Sequence, residues 1–492
     1  MKTFYILLLL CCFHTMLWAQ KRQNDIIGYK ELIRDNAQTF TEEQRNYCFK
    51  DYIDSANSCF AKGKESPTLA YDAALLSKEL YTALVRIGQG QRDASEIART
   101  LQATWRDIQE ALPKKACAVE FVDYEKDGQT KMGAIFLSKQ GNPIWVDLPS
   151  PDSIYKCPVK GEKASKRIFS KVQDKKNELY NSSNMICDLL WPESLVDLLK
   201  NKKEVYFSPT NYQHFIAIEY VVPAALEHVR FHRLSSTRKL LEEKRATDTS
   251  KALLCGGIVY NKQVLRINPK NDSIANQYFG VPLSKYLSGS YEMVSNICTI
   301  RNNEHDSLIS GIDAEESFFL KQCTRYPYVF ISTHGLFKPS SPNVIIITSP
   351  RTDNMLSHSA LLMAGGTYKD DKELQSLRTG LLSAKEFSEV DLSNVDLFVL
   401  STCDSGLGYL TDDGIYGLRK GLQLAGVRCI ISTLWELDDY VNVDFMSLFN
   451  LYLSQGHTPD DAMYMTRKEF MTRKEYAEPR YYDVFIVTDG WQ

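Results

Sequence analysis

Apolar positions along this chain change their period part-way through it. Between about residues 31 and 112 they recur every three or four residues, as in Ala70-Tyr71-Asp72-Ala73-Ala74-Leu75-Leu76 and again over 94–112. That spacing predicts amphipathic helices. Gly88-Gln89-Gly90 separates the two stretches, and Pro113 closes the region. Short apolar runs follow at 116–122 and 131–137, split by the turn-like Lys126-Asp127-Gly128, and predict a hairpin. Residues 204–208 predict a further strand that stops at Pro209, while the polar stretch 160–174 reads as a solvated loop or helix edge.

The C-terminal half alternates. Apolar runs at 252–260, 328–333, 344–348, 396–401, 429–433 and 482–487 are separated by longer segments, and 415–425 and 443–453 carry helical spacing. Strands that are apolar on both faces and alternate with helices predict a mostly parallel sheet flanked by helices, an α/β fold. In such sheets reactive groups collect beyond the carboxyl ends of the strands.

The amino terminus has a different pattern. Lys2 precedes an apolar stretch from Phe4 to Phe13, and Leu17-Trp18-Ala19-Gln20 leads into Lys21-Arg22. This predicts a signal peptide over 1–20 and an exported protein, periplasmic or extracellular, with no stable membrane span after its removal. An uncleaved anchor is the alternative. Twelve cysteines are scattered without C-x-x-C or zinc-like spacing, so no metal and no cofactor are expected. Cys48 and Cys59 are read as unpaired core residues, although export would permit disulfides. A net charge of −3 gives no basic field for nucleic acid. Asn181-Ser182-Ser183 and Asn271-Asp272-Ser273 match glycosylation sequons, which occur often by chance.

Two strand ends carry candidate chemistry. Residues 328–333 deliver His334-Gly335, and 397–402 deliver Cys403-Asp404-Ser405-Gly406. If those strands are neighbours, imidazole and thiol meet above one sheet edge, as a Cys/His dyad requires. His334 would take the thiol proton and return it to the leaving amine. Main-chain N–H groups of Gly335 and Cys403 would form an oxyanion hole. Spacing alone leaves a structural histidine and an inert core cysteine equally open.

The segment Leu397-Phe-Val-Leu-Ser-Thr-Cys403-Asp-Ser-Gly-Leu-Gly408, with Gly414-Ile-Tyr-Gly-Leu-Arg419, Leu424-Ala-Gly-Val427 and Ser432-Thr-Leu-Trp-Glu-Leu-Asp-Asp439, closely resembles the CHAT family. Its members are caspase-like domains, akin to separases and caspases in peptidase clan CD and often joined to tetratricopeptide-type helices. Leu234-Ser-Ser-Thr-Arg238, Leu254-Cys-Gly-Gly257, Gly311 with Glu315-Glu316, Ile331-Ser-Thr-His-Gly335, Gly380-Leu-Leu-Ser-Ala384 and Pro479-Arg-Tyr-Tyr-Asp-Val-Phe485 follow in family order. Thr402 stands where alanine is common, and Tyr482 where tryptophan is common.

The resemblance implies a caspase-like α/β fold and a cysteine endopeptidase with His334 and Cys403 as its dyad, acting on a protein or peptide. It implies a tetratricopeptide-like helical region over 21–113, an upstream non-catalytic half over 114–250 and a catalytic half over 251–492. The helical region would hold a protein partner, a substrate or an activating segment. In separase-like relatives, acidic residues after the Leu-Trp strand bind a basic P1 side chain; here Glu436, Asp438, Asp439 and Asp444 crowd that region. Helix capping by Asp438 or Asp439 is the competing role. Lys369-Asp-Asp-Lys-Glu373 marks an exposed loop where self-cleavage would fall. A non-enzymatic scaffold that keeps the fold for protein binding is the alternative function.

Overall fold

The computed structural model describes residues 26–151, 184–260, 286–337, 355–364, 380–436, 438–476 and 478–492. Helices come first, as the spacing predicts. Glu42–Ala61 starts at a reciprocal cap between Thr41 and Gln44, Pro67–Ser77 opens on its proline, and Leu80–Gly88 ends at the predicted glycine break. The stretch 94–112 divides into Ala94–Thr100 and Trp105–Ala111. A local cap causes the division: the Asp107 carboxylate accepts from the Thr104 N–H at 2.7 Å and restarts the helix.

These helices cover one face of a five-stranded sheet. Its strands are β1 (Ala116–Lys126), β2 (Gln129–Ser138), β3 (Ile144–Leu148), β4 (Glu204–Ser208) and β5 (Arg230–Arg233), in the order β3-β2-β1-β4-β5. β1 and β2 form the predicted antiparallel hairpin with Lys126 opposite Gln129. Its two-residue turn, Asp127-Gly128, has φ of 53° and 69°. Two left-handed residues match the twist of the flanking strands, and glycine adopts that conformation without strain. Ala116, Ala118, Val122 and Tyr124 pack on the helices, while Cys117, Val119 and Phe121 join the core on the opposite face.

The second half supplies β6 (Ala252–Ile258), β7 (Ser307–Gly311), β8 (Tyr328–Ile331), β9 (Gly335–Phe337), β10 (Ser359–Leu362), β11 (Leu381–Ser383), β12 (Leu397–Leu400), β13 (Tyr409–Thr411), β14 (Gly414–Tyr416), β15 (Cys429–Thr433) and β16 (Phe485–Thr488). Six of them form the main sheet in the order β16-β15-β12-β8-β6-β7. Every pair is parallel except β15 with β16. Side chains alternate between two cores. Tyr328, Phe330, Leu397 and Val399 face the helices Ser288–Arg301 and Asp439–Ser454, whereas Val329, Ile331, Phe398 and Leu400 face Glu316–Cys323 and Leu418–Ala425. Burial on both faces is why these strands read as unbroken apolar runs. The chain has the expected α/β architecture, with an N-terminal helical region ahead of it.

One sequence reading needs correction. Residues 415–425 carry helical spacing, yet Gly414–Tyr416 is a strand of the β13–β14 hairpin and the helix begins only at Leu418. Extended backbone at Gly417 divides the two. A Cβ there would collide with the Leu407 carbonyl, so the glycine permits the close approach. The predicted strand 344–348, the polar stretch 160–174, both sequons and residues 369–373 lie outside the described residues.

A buried charge cluster ties the helical region to that hairpin. Lys420 Nζ lies 2.7 Å from Glu79 and 3.1 Å from Asp413, and neither Lys420 nor Asp413 exposes its side chain. Asp413 in turn accepts from Tyr81 N–H at 3.1 Å and Thr82 Oγ1 at 2.8 Å. It thereby caps the first turn of Leu80–Gly88 from a distant part of the chain.

Candidate active site

The parallel pairing of β8 with β12 builds the site. Ile331 stands opposite Leu400 as the last registered pair. His334 and Cys403 each follow that pair by three residues, so they leave the sheet at one level, at the carboxyl edge of adjacent strands. Both residues are half-buried, and Cys403 is in no disulfide.

Local sequence explains why the chain turns there. Asp404 has a φ of 55°, a left-handed conformation that short polar side chains tolerate. Beyond it, Leu407 N–H bonds back to the Asp404 carbonyl at 3.0 Å. Thr433, at the end of β15, holds the loop from the side. Its hydroxyl donates to the Thr402 carbonyl, its N–H donates to Ser405 Oγ at 3.0 Å, and its carbonyl accepts from Gly406 N–H at 2.7 Å. Three hydrogen bonds from the end of β15 therefore fix the loop that carries Cys403.

The His334 side is held as closely. Its carbonyl accepts from Leu362 N–H at 3.0 Å, where β10 pairs with β9. Gly335 lies against the cysteine loop, so close that a Cβ would overlap the Cys403 carbonyl oxygen and lie 2.9 Å from Thr402 Oγ1. Close backbone approach is what this glycine permits. The Tyr260 ring stands beside the imidazole with centroids 5.2 Å apart.

The four acidic candidates part company. Asp438 caps Asp439–Ser454, accepting from Tyr440 and Val441 N–H at 3.1 and 3.2 Å. Asp444 is exposed and accepts from the Tyr476 hydroxyl at 2.8 Å. Glu436 is exposed. Asp439 alone is half-buried and turned inward, where it accepts from Gly289 N–H at 2.9 Å. Its charge also reaches Tyr260, whose phenol is pushed up chiefly by burial. Through Tyr260, Asp439 is the acidic candidate linked to the neighbourhood of His334.

Sequence reasoning passed over Tyr260, Thr433 and Lys420. Tyr260 closes the apolar run 252–260, and an aromatic with a polar tip just past a strand was its only signal. Thr433 and Lys420 carry none, because their partners come from remote segments. Among the described residues, no group of three or more His, Cys, Asp or Glu could hold a metal ion, and no helix is long and apolar enough to cross a membrane.

The CHAT domain profile matches residues 188–486, more than half of the chain. The chain belongs to the CHAT domain family. A mouse relative, tetratricopeptide repeat protein 28, is 23% identical over 183 residues, covering 34% of this CHAT chain and 7% of its own length. Among solved structures, the Saccharomyces cerevisiae separase–securin complex aligns with 94% of this chain and 37% of its own, at 10% identity and a TM-score of 0.45. The Arg-specific cysteine proteinase gingipain R aligns with 65% of this chain and 74% of its own, at 11% identity and a TM-score of 0.35. This CHAT chain thus spans only a small part of the mouse relative and about a third of the separase chain.

Proposed function

We propose that this CHAT protein is an exported caspase-like cysteine endopeptidase, with Cys403 as nucleophile and His334 as general base and acid. Cys403 Sγ attacks the scissile carbonyl as His334 holds the thiol proton. The tetrahedral oxyanion is held by main-chain N–H groups of Gly335 and Cys403. Collapse expels the amine, which takes its proton from His334, and leaves a thioester on Cys403. Water then attacks the thioester, giving up a proton to His334 and releasing acid and thiol. No cofactor enters any step.

One observation carries this reading: the β8–β12 register brings thiol and imidazole out of adjacent strand ends at the same level. A scaffold has no need of that pairing. Asp439 supports a preference for Arg or Lys at P1, being the inward carboxylate of the acidic group. The helical region is the docking element for a protein partner, and residues 1–20 direct export.

Incubating purified protein with peptides varied at P1 tests the reading, alongside Cys403→Ala and His334→Ala. Cleavage after basic residues that disappears in both variants is the expected result. A wild type that cleaves nothing and ignores thiol-directed peptidyl inhibitors makes the scaffold correct, and cleavage surviving in Cys403→Ala refutes the mechanism. Sequencing the amino terminus of exported protein tests removal of residues 1–20, which a start at Met1 would contradict.

A further inference from the structure

Tyr260 lies two residues beyond β6, the strand flanking β8 on the side away from β12. Only 4% of it is exposed. Its phenol enters a hydrogen-bond chain that ends at the His334 backbone. Thr333 Oγ1 lies 3.0 Å from the phenol oxygen and 2.6 Å from the Leu362 carbonyl. A carbonyl can only accept, so the single Thr333 hydroxyl proton goes to Leu362, and Tyr260 must donate to Thr333. The Leu362 main chain in turn holds the histidine, since the His334 carbonyl accepts from Leu362 N–H at 3.0 Å.

The bonds run in a chain from Tyr260 through Thr333 and Leu362 to His334. The His334 carbonyl is thereby tied to the phenol, and the Tyr260 ring stands beside the imidazole. We propose that Tyr260 is a positioning residue, whose hydroxyl and ring together hold His334 in the orientation that serves Cys403. The inference rests on the dyad reading above. Tyr260 touches no reacting atom and acts only through the histidine. The charged group facing it is Asp439, from the start of the helix packed over this edge.

The test follows alkylation of Cys403 by iodoacetamide across pH, read by mass spectrometry of the Cys403 peptide in the full chain. It compares wild type, His334→Ala, Tyr260→Phe and Thr333→Val. Tyr260→Phe keeps the ring and loses the donor, whereas Thr333→Val keeps the phenol and loses its acceptor. Both should slow alkylation near neutral pH by roughly tenfold to a hundredfold and move the profile toward that of an unassisted thiol at about pH 8.5. Both should also keep the wild-type near-ultraviolet dichroism. Where turnover is measured, kcat should fall with KM unchanged. If Tyr260→Phe unfolds, Thr333→Val decides by the same criterion. Wild-type profiles in both variants with a slow His334→Ala overturn the role of Tyr260 alone. A His334→Ala profile equal to wild type overturns the dyad, and Tyr260's role with it.

Discussion

Gly335 and Cys403 meet main chain to main chain, with no room between them for even a methyl group. The contact joins the histidine strand end to the cysteine loop directly. Gly335→Ala should therefore force the two apart, costing about 1–3 kcal/mol of stability through overpacking. It should also slow alkylation of Cys403 more than a control alanine at Gly28, which has open space around it, does. A denaturant midpoint and an alkylation rate for each variant check this.

Lys420 balances two carboxylates where no solvent reaches it. Lys420→Met strands Asp413 and Glu79, and breaking a buried pair in this way costs roughly 3–5 kcal/mol. Adding Asp413→Asn removes one stranded charge and should recover part of that loss. Because the cluster spans the helical region and the β13–β14 hairpin, limited proteolysis of Lys420→Met should release the helical region faster than in wild type. Unfolding midpoints of the single and double variants measure the coupling.

Glu316 is buried beside Glu386, and burial first, then that second carboxyl, raises its pKa from 4.5 to about 8. The folded chain thus holds a proton that the unfolded chain has already lost. Its contribution is complete below about pH 4.5 and fades as pH rises through about 8. Thermal stability should decline over that window. Glu316→Gln, which keeps a donor and cannot ionise, should flatten the slope. Melting temperatures at about pH 5 and about pH 8 for both proteins give the comparison.

Asp439 and Asp438 are adjacent but do different jobs. Asp439→Asn keeps an acceptor for Gly289 and loses the charge, so kcat/KM for peptides with Arg at P1 should fall roughly a hundredfold. Asp438→Asn retains a good helix cap and should change that ratio by less than about twofold. Paired assays on Arg and uncharged P1 peptides distinguish them. Equal effects from both substitutions would remove Asp439 from P1 recognition.

The fold was legible wherever burial is symmetric. Runs such as Tyr328-Val329-Phe330-Ile331 and Leu397-Phe398-Val399-Leu400 are apolar because both faces of the sheet are covered, and they emerged as strands. The Asp127-Gly128 turn was readable from its two residues alone. Short strands such as β9 and β13, at three residues each, were not, because such segments are too brief to establish a period. Residues 415–416 were misread for a related reason: an apolar pair before an amphipathic helix extends its spacing until the backbone at Gly417 interrupts it.

By itself the sequence determined the α/β class, the hairpin at Asp127-Gly128, the helical start of the chain and the two strand ends that carry His334 and Cys403. Each of these depends on local chain preference or on a repeating apolar pattern. Tertiary structure decided that β8 and β12 are neighbours, and so that His334 and Cys403 leave the sheet side by side. It also set Asp439 against Gly289 and brought Tyr260 and Thr433 to the two strand ends. Those relationships come from strand order and from hydrogen bonds between remote segments, which no local pattern encodes.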